Sequence, residues 1–153
     1  MKSVKLIVSV DNLWITLEVT EMAIRGEEIE QARLIKWTHR KDVRELMPDL
    51  EWIYHTPNGG RRDSFAAAQM KAIGVKRGVP DLILPVKVTG GHPGLVIEMK
   101  SADGRLSAEQ ENWMEHYQKE GWVTSVCRSA DEARVVICHY LGWDVAEVPE
   151  LSP

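Results

Sequence analysis

The stretch KRGVPDLILPVKVTGGHPGLVIEMK, residues 76–100, decides how this chain reads. Two short apolar runs, at about 81–86 and 94–100, are split by Gly90, Gly91, Pro93 and Gly94. That pattern predicts adjacent, mostly buried strands joined by a turn. Asp81 opens the first run, and Glu98 and Lys100 close the second. Alternate side chains of a strand share a face, so Glu98 and Lys100 point one way and Leu95, Ile97 and Met99 the other. Charges in an otherwise apolar sheet are costly unless they pair or bind a cation.

Two carboxylates beside one lysine suit phosphodiester hydrolysis. Carboxylate oxygens can hold a hard Mg²⁺ or Mn²⁺, which polarises a phosphate and lowers the pKa of a bound water. An ammonium at that place can orient or deprotonate the water, or stabilise charge in the transition state. The backbone carbonyl of Met99, between Glu98 and Lys100, offers a further oxygen. Taken singly, a Pro-Asp before a strand is most often a turn, and a Glu-x-Lys is common on exposed strands; the weight lies in their conjunction.

Outward from this stretch, the apolar segments 3–9 and 13–19 flank Asp11-Asn12 and predict a β-hairpin. A helix is expected from Glu27 to about Leu46, ended by Pro48, then a strand over 51–55 and a turn at Thr56-Pro57-Asn58-Gly59-Gly60. Ser64 to Ile73 reads as an Ala-rich helix with Gly74 at its C-terminal end. Ser107 and Gln110 form a capping-box pattern for a helix to about Glu120, and Ser129 and Glu132 a second for a helix to about Leu141. Trp122 to Arg128 lies between them as a strand. The order predicts an α/β fold, a mixed β-sheet flanked by helices. Residues 144–153, with two prolines and three acids, are expected to form a loose tail.

A chain of 153 residues suits one domain, and 44% hydrophobic with 27% charged residues is an ordinary soluble composition. No apolar run approaches the roughly 20 residues of a membrane span, and the N-terminal segment reads as a strand without a signal-peptide cleavage site. Cys127 and Cys138 are expected as buried free thiols, consistent with a reducing cytoplasm. A net charge of −4 argues against broad nucleic-acid affinity. Its distribution does not: 61–78 carries five cations against Asp63, and 33–44 five against Asp42. The bland reading of each cluster, a solvated helix face, stands beside one in which phosphates bind one side.

The segment resembles the PD-(D/E)xK nuclease superfamily, with Pro80-Asp81 and Glu98-Met99-Lys100 as its two signature pieces. The remainder resembles the VRR-NUC branch. Its ordered pieces are Glu30-Gln31 on a helix, Asn58-Gly59-Gly60, Gly74, Gly78 to Asp81, Gly94 to Lys100, Leu106 to Gln110, and the strand-helix pair from Gly121 to Trp143. PD…ExK alone is a weak pattern; the ordered set is strong. The likeness covers about 27–143 as a nuclease domain of restriction-endonuclease-like fold, with the hairpin of residues 1–20 as an extension unmatched in the family core.

The resemblance implies a metal-dependent nuclease with Asp81, Glu98 and Lys100 at its centre, and Mg²⁺ or Mn²⁺ held by Asp81, Glu98, the Met99 carbonyl and a helical glutamate. Glu27, Glu28 and Glu30 compete for that last place. Glu30 is preferred, because it shares a face with Leu34 and Trp37, whereas Glu27 shares one with Gln31. Gln110 is either a contact to the site or simply the partner of Ser107 in a capping box. His55 and His92 read first as locally bonded histidines, and Trp113 as core. Lys76, Arg77, Arg61 and Arg62 are the candidates for DNA phosphate contacts. Small stand-alone members of this kind resemble bacterial or phage proteins acting as homodimers on branched DNA, such as four-way (Holliday) junctions, in the cytoplasm of the host cell.

Overall fold

The computed structural model describes residues 3–10, 13–20, 26–57 and 64–152. Residues 3–10 (β1) and 13–20 (β2) pair antiparallel from Ser3↔Thr20 to Val10↔Leu13, the hairpin expected around Asp11-Asn12. This two-stranded ladder is separate from the main sheet.

The main sheet has four strands: Tyr54–His55 (β3), Leu82–Leu84 (β4), Leu95–Met99 (β5) and Val123–Cys127 (β6), in the spatial order β3-β4-β5-β6. The first three run antiparallel, while β6 lies parallel to β5. A parallel neighbour needs a long crossover, supplied here by the helix Ala108–Lys119 (α4). The result is the mixed α/β sheet that the sequence predicts.

Strand alternation in β5 divides the core. Leu95, Ile97 and Met99 join Leu82, Leu84 and Cys127 under Gly26–Thr38 (α1), Lys41–Leu46 (α2) and Ala130–Tyr140 (α5). Val96 and Ile83 face the other way, against Met114 of α4 with Tyr117 and Trp122 around them. Glu98 is on the α4 side, two residues from Val96, and only 2% exposed. The remaining helix, Ser64–Ala72 (α3), ends at Gly74, whose φ of 94° is the left-handed conformation that glycine supplies at a helix end. The cysteines are free and buried.

Several local expectations are corrected. The helix expected over 27–46 is two helices. Arg40 takes extended backbone between them, its guanidinium clasping Asp42 and the Glu150 carbonyl. The strand expected at 51–55 is shortened to Tyr54–His55; its first two residues end a 3₁₀ turn, Pro48–Trp52, because Pro48 and the following acid start a helical turn better than a strand. Trp113 is half-buried and Met114 takes the core place: α4 is rotated by about one residue from the expected face. The segment after Trp143 is not loose. It forms a 3₁₀ turn, Val145–Glu147, and buries Val148. Its carbonyls are collected by buried side chains: Arg134 donates to Val145, Val148 and Pro149, and Trp37 Nε1 donates to Pro149.

Candidate active site

The site is assembled where β4 begins and β5 ends. Pro80 is buried and Asp81 half-buried at the mouth of β4. Asp81 Oδ2 accepts the backbone N–H of Met99 at 2.8 Å, so one carboxylate oxygen is tied to the neighbouring strand. Burial pushes the Asp81 carboxyl above the usual range, against the Met99 N–H and the Lys100 charge, which lower it.

Glu98 is the most buried charge of the group. Its Oε1 accepts from Lys100 Nζ at 2.7 Å and from Gln110 Nε2. Its Oε2 is buried with no hydrogen-bond partner. Desolvation raises this carboxyl to about 7, more than the Lys100 hydrogen bond lowers it, and the Asp81 charge raises it further. Lys100, with a side chain 13% exposed, sits at the rim.

Gln110 fills both roles the sequence left open. Its Oε1 accepts from Ser107 N–H and its backbone N–H donates to Ser107 Oγ, a complete capping box, while its amide N–H reaches Glu98. The box thereby fixes the start of α4 against the carboxylate. Ser129 caps α5 by accepting from Glu132 N–H, but the Glu132 carboxylate accepts from Arg128 N–H, one residue before the cap.

These residues line a cleft of about 680 Å³ between α1, β4, β5 and α4. Glu27, Glu28 and Gln31 form its α1 wall, and His55 joins from β3. Glu30 does not line it. Its carboxylate accepts from the Ala130 N–H at 2.7 Å and pairs with Arg33, which hold its carboxyl below the usual range. The expectation for Glu30 is therefore corrected: it caps α5 from α1, on the face toward Leu34 that made it attractive. Glu27 has the cleft position, with Oε2 at 3.3 Å from Ser101 N–H and its charge felt by Asp81. The available signal was its shared helical face with Gln31, four residues on. His55 is locally bonded as expected, its Nδ1 2.9 Å from the Asp81 carbonyl and 2.8 Å from Gln31 Nε2, and it stands in the cleft wall. His92 is a turn residue bonded to the Gly121 carbonyl.

Lys76 and Arg77 are exposed on the loop before β4, outside the cleft and beside Trp113. Arg61 and Arg62, with Asn58-Gly59-Gly60, lie outside the described residues.

The donor set fits a divalent cation. Glu98 Oε2 is a buried, unpartnered oxygen, and a carboxylate oxygen in that state gains most from a hard cation. Among the described residues no three His, Cys, Asp or Glu side chains converge into a closed cage. A site of two carboxylates completed by water and phosphate oxygens is the arrangement that Mg²⁺ favours.

A mixed sheet flanked by helices, with Pro-Asp and Glu-x-Lys brought together across adjacent strands, defines a PD-(D/E)xK-like nuclease-type domain. The VRR-NUC domain matches residues 25–131, and the chain belongs to that family. Among solved structures, a VRR-NUC domain protein superposes with a TM-score of 0.64 at 28% sequence identity, covering 83% of this chain and 98% of its own. No curated protein matches. A nuclease domain implies a DNA substrate, and among the described residues no helix is long and apolar enough to cross a membrane.

Proposed function

We propose that this protein is a metal-dependent DNA endonuclease selective for branched DNA, including four-way junctions, and that it acts as a homodimer. The observation that carries the catalytic part is the buried, unpartnered Glu98 Oε2 beside Asp81 and Lys100. Asp81, Glu98 and the Met99 carbonyl would hold Mg²⁺ or Mn²⁺, with Glu27 in place of Glu30 as the helical carboxylate at the cleft. The bound ion supplies Lewis-acid polarisation of the phosphate and a lowered pKa for water.

The chain's own groups do the positioning. Lys100, held by Glu98 at 2.7 Å, points an ammonium at the cleft, where it orients the attacking water or offsets charge on the phosphate. Gln110 keeps Glu98 in one rotamer, leaving Oε2 for the ion. The exposed Lys76 and Arg77 suit backbone phosphates, which give shape and charge selection without base reading. Two cuts placed symmetrically on a junction need two active sites, the motive for a dimer.

The test is cleavage of labelled duplex, flap and four-way-junction DNA in Mg²⁺, Mn²⁺ or EDTA, with Asp81→Ala beside wild type. Metal-dependent cutting lost in Asp81→Ala supports the reading, and light scattering gives the mass of the active species. Absence of cutting by pure wild type on every substrate would move the protein to a non-catalytic binding module or a partner-dependent subunit.

A further inference from the structure

On the far side of the loop that carries Lys76 and Arg77, a second groove of about 440 Å³ runs along α4. It is lined by Lys76, Arg77, Glu109, Asn112, Trp113 and His116. Its floor is the half-buried indole of Trp113, whose Nε1–H donates to the Arg77 carbonyl at 2.9 Å. That bond uses the polar edge of the ring. Lys76 Nζ lies 5.9 Å from the ring centroid, over its face. His116 meets the ring edge-on at 6.1 Å and Tyr117 packs at 6.0 Å, so the indole is braced within an aromatic group.

The groove adjoins the catalytic cleft, with the loop between them. Gly78 lines that cleft, and a Cβ placed on it would lie 2.7 Å from the Glu109 backbone, so the loop is pressed directly onto α4. One side of the loop faces Asp81 and Glu98; the other presents two cations beside an indole.

We infer that this groove takes a single unpaired nucleotide of the DNA substrate: its base on Trp113, its phosphates on Lys76 and Arg77, and its edge against the Asn112 amide. The inference rests on the nuclease reading and adds the feature by which branched DNA is recognised. An indole flanked by cations is the standard solution for holding an unstacked base, because every base has a π-face and every nucleotide a phosphate. Lys76 caps the ring from an exposed position, where a cation–π contact is weak; a base stacks more strongly and releases the ammonium to its own phosphate. Plain duplex has no free base to offer, whereas flaps and strained junctions do.

The test uses the full chain and flap substrates in which each nucleotide near the cut is replaced in turn by an abasic residue. Cleavage is followed in Mg²⁺, and binding of a 2-aminopurine-labelled flap is followed in Ca²⁺ without turnover. For wild type, one position should show about a tenfold abasic penalty, and 2-aminopurine there should be quenched on binding. Trp113→Leu should erase both effects; Trp113→Phe, which keeps a ring but not the Arg77 bond, should retain them. No penalised position in wild type, or the same penalty in Trp113→Leu, overturns the platform while leaving the nuclease intact. Quenching without cutting on any substrate would sink the nuclease reading and keep the platform.

Discussion

Asp81 and Met99 are joined across the β4–β5 pair by a hydrogen bond from a backbone N–H to a carboxylate oxygen. The bond makes a proposed metal ligand part of the sheet's own register, since Leu82 pairs with Ile97 next to it. A one-residue slip would turn Glu98 to the opposite face and break the bond at once. Asp81→Asn keeps an acceptor for Met99 and removes the charge. Thermal melts should therefore match wild type within a few degrees, while metal-dependent cleavage falls by at least about a hundredfold, a typical loss for an essential catalytic group.

The elevated Glu98 carboxyl gives a pH signature with opposite signs for metal-free and metal-loaded protein. Folded Glu98 binds its proton up to about pH 7, well above the ordinary carboxylate value of 4.5. Its contribution to metal-free stability is complete below pH 4.5 and is lost as pH rises through 7. Metal binding requires the deprotonated form, so affinity at limiting Mg²⁺ should rise over the same interval. Glu98→Gln should remove this component from both profiles, read by melts with and without Mg²⁺ at pH 5 and 8. A Mg²⁺-induced rise in melting temperature that persists in Glu98→Gln would place the ion elsewhere.

Lys100→Met tests whether the ammonium serves chemistry or only neutralises Glu98. Losing one partner of a buried pair costs about 3–5 kcal/mol when the remaining charge is stranded. Glu98 need not be stranded, because with a carboxyl near 7 and Gln110 still bonded it can take up a proton. The expected outcome is a loss of about 1 kcal/mol in denaturant unfolding at pH 6, with cleavage reduced by at least about a hundredfold. Wild-type cleavage in this variant would remove Lys100 from the mechanism.

Glu27 and Glu30 should separate cleanly although they sit one turn apart. Glu27→Gln should weaken Mg²⁺ affinity, raising the metal concentration for half-maximal cleavage about tenfold with little change in melting. Glu30→Gln removes the charge that caps α5 through the Ala130 N–H and should lower stability by about 1 kcal/mol, leaving the metal requirement unchanged. The reverse pattern in a metal titration would restore Glu30 to the site.

What was legible in the sequence follows from how far each signal reaches. Strand alternation alone put Glu98 and Lys100 opposite Leu95, Ile97 and Met99, and the capping boxes located α4 and α5, because these rules act within a few residues. The choice between Glu27 and Glu30 depends on how α1 is rotated on the sheet. The donor that wins Glu30, the Ala130 N–H, is 100 residues away. Trp113 failed for the same reason: a hydrophobic ring on α4 has two apolar destinations, and the Arg77 carbonyl decides for the loop. Arg40, at the break, bonds to Glu150, 110 residues away in sequence.

That last contact belongs to a wider clasp. Trp37 and Arg40 bond to carbonyls 112 and 110 residues ahead, and Arg134 gathers three in the same short segment, sharing that of Pro149 with Trp37. The helix bearing Glu27 is thus fastened by a part of the chain that contributes nothing to the cleft. Closing so large a loop before any return in contact energy makes for slow, all-or-none folding. A single protease nick in the Leu141–Asp144 connection would be expected to let the clasp swing away and loosen the α1 wall, so that backbone integrity at a distant surface turn governs whether the blade keeps its edge.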